Sequence, residues 1–81
     1  MATIAKRLRR NYTEILNVKP DDITDKSTIE SIGADSLDDI ELLMRVDDDF
    51  GIEIIESDWG DSETTFTDRV DLITRIVEKG K

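Results

Sequence analysis

The stretch Gly33-Ala34-Asp35-Ser36-Leu37-Asp38-Asp39-Ile40-Glu41-Leu42-Leu43-Met44-Arg45-Val46-Asp47-Asp48-Asp49-Phe50 decides how this chain folds. It opens on a glycine, which reaches backbone angles closed to other residues, and then offers Asp35 and Ser36, either of which can cap the free amides of a helix start. From Ser36 to about Phe50 the apolar residues follow a helical period. At about 100° per residue, Leu42, Leu43, Val46 and Phe50 share one face, the side expected to enter a core. Leu37, Ile40 and Met44 fall on a different side, flanked by Glu41, Asp47 and Asp48. Two apolar stripes on one helix need two partners. One is expected to pack inside the protein and the other to dock a second protein, because an apolar strip framed by charge gives both contact area and steering. The alternative is that Leu37 and Met44 cover neighbouring loops. Asp39 lies near the core side, where a carboxylate costs free energy unless it stays solvated or finds a partner.

Upstream, Thr3 is placed to cap a first helix ending near Asn17, with Ile4, Leu8, Tyr12 and Ile15 at near-helical spacing and Leu16 widening the stripe. Its other side holds Lys6, Arg7, Arg9 and Arg10, four of the eleven basic residues, and reads as a solvated face ion-paired with the acidic body in preference to a docking patch. From Val18 to Asp35 the pattern loosens around Pro20 and Asp21-Asp22. This is expected to be a long loop, pinned by Ile23, Ile29 and Ile32, that delivers Ser36 to one end of a bundle. Downstream, Ser57-Asp58-Trp59-Gly60 is expected to form a short helical turn. A last helix starts at Thr65 or Thr67, turns Phe66, Val70, Ile73 and Val77 inward, and is followed by Gly80. The expected fold is all-α: a small bundle of three main helices plus one short helix, with a long loop between helices 1 and 2, in a single domain over residues 1–81.

Composition excludes several chemistries. The chain has 81 residues, no cysteine and no histidine, so thiol catalysis, tetrahedral zinc sites and a serine-histidine triad are not available within it. Ser36 has no evident internal base. A formal charge of -9 disfavours a nucleic-acid backbone as partner and favours basic proteins. Between Asp35 and Asp61 there are eleven acidic residues and one base, Arg45. A calcium loop fails on spacing, since Gly51 falls one position early after Asp47 and Asp49, and Phe50 intrudes. No apolar run approaches a membrane span and no secretory apolar region follows Met1, so the cytoplasm is the expected location, and a monomer the expected state.

Asp35-Ser36-Leu37, its continuation through Ile40-Glu41-Leu42-Leu43-Met44, the closing Phe50-Gly51-Ile52-Glu53-Ile54, and the returns at Thr64-Thr65 and Val70-Asp71-Leu72-Ile73 closely resemble an acyl carrier protein over nearly the whole chain. In that family the serine of an Asp-Ser-Leu tripeptide carries a 4'-phosphopantetheine arm added by a transferase, so the resemblance implies attachment at Ser36. It implies a carrier and not an enzyme, holding acyl intermediates as thioesters for partners of fatty-acid, lipid or polyketide synthesis. Those partners are the phosphopantetheinyl transferase, and acyl-transfer and synthase enzymes with basic docking patches. The docking face would comprise Asp35, Leu37, Asp38, Ile40, Glu41, Met44, Asp47 and Asp48, and acyl chains would shelter against Leu42, Val46, Ile54 and Ile73. Aminoacyl and peptidyl carriers are the alternative within the class, although those more often have His before the serine; outside it stands an unmodified acidic helical docking module.

The chain departs from the family at Trp59, Gly60 and Glu63, in the Arg-rich first helix, and at Asp39. These departures imply a specialised carrier. If Asp39 guards the mouth of an acyl pocket, Asp39→Val is expected to raise stability by relieving carboxylate desolvation.

Overall fold

The first helix, α1, runs over Ile4–Leu16 in a computed structural model of the protein, which describes residues 3–79. Thr3 Oγ1 accepts a hydrogen bond from the Lys6 amide at 3.1 Å, and Asn17 ends the helix in the left-handed region at φ 55°. Asparagine enters that region more readily than most residues. Leu8 and Tyr12 are buried, with Ile4, Ile15 and Leu16 packed against them.

The second helix, α2, spans Ser36–Phe50, the range expected from the sequence. Asp35 caps it: its carboxylate accepts from the Asp38 amide at 3.0 Å, while the Asp38 carboxylate accepts from the Asp35 amide at 3.4 Å, a reciprocal capping box. Gly51 ends it at φ 65°, a left-handed closure that glycine adopts without strain. Leu42, Leu43 and Val46 are buried and Phe50 is partly so.

The basic face of α1 meets the end of α2. Arg7 and Arg10 approach the Asp49 carboxylate at 3.5 and 3.4 Å, and the Arg7 guanidinium lies 4.1 Å from the Phe50 ring centroid. Asn11, buried, donates to Asp49 Oδ2 at 3.2 Å and to the Arg7 carbonyl at 2.9 Å. Two of its four basic residues, Arg7 and Arg10, thus share one carboxylate, Asp49, and hold α1 against α2, whereas the Arg9 guanidinium lies 5.5 Å from the Phe66 ring centroid.

The intervening loop is less irregular than its sequence. It contains a 3-10 turn at Pro20–Asp22, and it buries Ile23, Ser27 and Ile29. Its carbonyls also satisfy the start of the last helix, α4 (Phe66–Lys79): the Phe66 amide donates to Ser27 O at 2.8 Å and the Thr67 amide to Asp25 O at 3.1 Å. Thr65 completes that end by accepting from the Asp68 amide at 3.2 Å, so α4 begins after Thr65 and not at Thr67. The short helix, α3, occupies Glu56–Trp59, one residue earlier than expected. Gly60 stands outside it at φ 91°, where any Cβ would collide with Thr64 Oγ1, so glycine is required. Gly80 lies outside the described residues.

The described residues thus form an all-α protein of three long helices and one short one, without strands, around one continuous core. Inside that core Phe66 and Ile73 of α4 are buried, Val70 and Val77 are partly buried, and Tyr12 meets Phe66 edge-on with ring centroids 5.2 Å apart.

Candidate functional site

Ser36 sits at the first position of α2, exposed, where the long loop becomes helix. Because Asp35 takes the capping role, the serine hydroxyl has no structural duty among the described residues. Gly33, at φ 80° with open space around its Cα, turns the chain into this corner. The helix start presents its first free amides and the positive end of the peptide dipoles, which favour a phosphate group. An exposed serine hydroxyl with no side chain roofing it thus fits a phosphodiester-linked group, although Asp35 and Asp38 keep the local charge negative.

Along the outer side of α2, Leu37, Ile40 and Met44 are 71%, 47% and 64% exposed, and Ile55, at the entry to α3, joins them as an exposed large apolar residue. Asp35, Glu41 and Asp48 flank this strip in solvent and Asp38 is half-exposed. Asp47 has a further duty, since its carboxylate accepts from the Ile54 amide at 3.2 Å and anchors the turn after α2. Burial pushes its pKa up from the ordinary carboxylate value; the Ile54 hydrogen bond draws it partly back, and the charges of Glu53 and Asp48 push it further up.

On the inner side, Asp39 is 8% exposed, close to the core as its helical position indicated. It has a partner that sequence reasoning missed. Arg69, with no exposed surface, forms a two-pronged pair with it, Nη1 to Oδ1 at 2.9 Å and Nη2 to Oδ2 at 3.0 Å. The Trp59 indole N–H also donates to Asp39 Oδ1 at 3.1 Å. Arg69 makes three further bonds: Nε to Trp59 O at 3.2 Å, Nη1 to the Tyr12 hydroxyl at 3.1 Å and Nη2 to Asp61 O at 3.1 Å. Its guanidinium carbon lies 4.0 Å from the centroid of the Trp59 ring. Burial raises the Tyr12 pKa, with the charge and hydrogen bond of Arg69 opposing the rise. Arg69 lies at helical spacing from Phe66 and Ile73, but nothing in the sequence alone sets it opposite Asp39. The expectation that Asp39→Val relieves an uncompensated carboxylate is corrected by this pairing, because the carboxylate is matched by a buried cation and an indole donor.

The four residues expected to shelter an acyl chain, Leu42, Val46, Ile54 and Ile73, are all members of the packed core. A cleft of about 570 Å³ lies on the other side of α4, between Asp58, Thr64, Asp68, Leu72 and Arg75, and none of the four lines it.

A small all-α scaffold that presents an unburdened serine at a loop-to-helix corner, above an acidic helix with an exposed apolar strip, is the form of a carrier domain. The family model of the phosphopantetheine attachment site matches residues 6–58, a span that includes Ser36 and all of α2. The chain belongs to that family, and is a carrier bearing a covalent 4'-phosphopantetheine group. Among the described residues no helix is long and apolar enough to cross a membrane, and no group of side chains is arranged to hold a metal ion.

Proposed function

We propose that Ser36 is the residue joined to the phosphopantetheine arm, through a phosphodiester, and that the chain presents acyl groups, held as thioesters on the arm's terminal thiol, to enzymes of fatty-acid, lipid or polyketide synthesis. The observation that carries this reading is the place of Ser36: exposed at the first position of α2, and released from capping by Asp35. With no cysteine and no histidine, the chain supplies neither a thiol nor an imidazole base. The arm brings the thiol, a separate transferase makes the attachment, and the domain is not itself an enzyme. Tethering raises the effective concentration of each intermediate near a docked partner.

Partners dock on the strip of Leu37, Ile40 and Met44 and on the surrounding carboxylates of Asp35, Asp38, Glu41, Asp47 and Asp48, so they carry Lys or Arg around an apolar patch and bind transiently. Asp35 immediately before Ser36, where peptidyl carriers more often have His, favours acyl over aminoacyl cargo. The test is incubation with coenzyme A and a phosphopantetheinyl transferase, followed by intact mass. Wild type gains one phosphopantetheine and Ser36→Ala gains none; an unmodified wild type leaves the acidic docking module as the better account.

A further inference from the structure

A tethered acyl chain that entered this protein from Ser36 would pass along the inner side of α2, and the first inner residue it meets is Asp39, about 4.5 Å further along the helix axis. Beyond Asp39 on the same stripe come Leu42 and Val46, so Asp39 and its partners stand between the serine and the apolar interior.

That position is locked. A guanidinium has five N–H donors. Here they meet five acceptors, Asp39 Oδ1 and Oδ2, the Tyr12 hydroxyl, and the carbonyls of Trp59 and Asp61. One side chain of α4 thereby ties together α1, α2, α3 and the segment after α3. The Trp59 ring, 2% exposed, packs against the guanidinium and donates its N–H to Asp39. Making room for an acyl chain here would pull Asp39 from Arg69 inside the protein and leave both charges unpaired in a medium that solvates neither. A fully satisfied buried network of this kind resists partial opening, because each broken bond leaves a polar group without water to replace it. Nor does Arg69 have a free donor with which to greet a polar cargo.

We infer that the Asp39–Arg69–Trp59 network closes the interior beneath the attachment serine to acyl chains, so that the cargo of this carrier is a short or polar acyl group held outside the helices. The inference rests on attachment at Ser36. A long apolar chain left in water gains nothing from this protein, whereas a short or oxygenated acyl group needs no shelter. Asp39, Arg69 and Trp59 are then specificity-determining residues for the carried group, acting by exclusion and without touching it.

The experiment uses the full chain loaded with acetyl, hexanoyl and octanoyl pantetheine arms, and follows the methyl NMR signals of Leu42, Val46, Ile54 and Ile73 together with the thermal midpoint. In wild type the four methyl signals and the midpoint stay where acetyl leaves them as the chain lengthens. In Trp59→Ala, which removes the plug and leaves the ion pair, these signals move once the chain reaches hexanoyl. Movement of the core methyl signals in the wild type with hexanoyl or octanoyl overturns the inference and leaves the attachment reading intact, whereas a wild type that cannot be loaded contradicts both. Where Trp59→Ala does not fold, Trp59→Leu makes the same comparison.

Discussion

Removing the carboxylate of Asp39 strands a guanidinium that has no surface in contact with water. The single change Asp39→Val is therefore expected to lower stability by about 3–5 kcal/mol, the usual loss when one member of a buried ion pair is removed. The double change Asp39→Leu with Arg69→Met removes both charges and is expected to recover much of that loss, since apolar replacements of a buried pair are often neutral or better. Urea denaturation of the two variants checks this, and an Asp39→Val protein as stable as wild type would contradict the pairing. Asp47 behaves oppositely. Its raised pKa means that the folded protein holds the proton to a higher pH than the unfolded chain does. Stability thus declines as pH rises between the ordinary carboxylate value and the raised one, and the full cost of the charge is present above both. Asp47→Asn keeps an oxygen for the Ile54 amide and should be at least as stable as wild type at neutral pH, with the difference shrinking as pH falls through that window. Denaturation midpoints over a pH series measure it, and a variant clearly less stable at neutral pH contradicts this account. At this scale the sequence showed that Asp39 was out of place but not what answered it. A single arginine in a charged helix carries no local mark of burial, and its acceptors come from three separate stretches of chain, at Tyr12, Asp39 and Trp59 to Asp61.

Among the elements, α2 was legible to the residue because both its ends carry their own chemistry, the Asp35–Asp38 box and Gly51. The start of α4 was not, because its first amides are satisfied by carbonyls of the distant loop at Asp25 and Ser27. Nothing in residues 18–35 alone announces that duty. Similarly, α3 is too short for periodicity to fix its ends, and Gly60 was legible only as a turn residue until Thr64 was seen against it. The docking role of α2 is testable as an element. Glu41 and Asp48 are exposed and outside the core, so Glu41→Lys with Asp48→Lys should leave helicity unchanged by circular dichroism. The same double change should slow transferase modification by about tenfold at low salt, with the difference fading at high salt as screening removes the steering. A folded double variant modified at the wild-type rate at low salt would show that these carboxylates do not guide docking.

At the scale of the whole molecule, charge and apolar surface are arranged around one corner. The net charge of -9 is concentrated around α2 and its flanks, while Arg7 and Arg10 of α1 are drawn against Asp49 at the far end of that helix. Ser36 stands at the near end, where the strip of Leu37, Ile40 and Met44 begins. The central claim is that this serine, and no other, carries the arm. The measurement that tests it most directly is fragmentation mass spectrometry of the transferase-treated protein, with the added group located among Ser27, Ser31, Ser36, Ser57 and Ser62. The account predicts phosphopantetheine on the fragment whose only serine is Ser36; finding it on any of the other four would contradict the account.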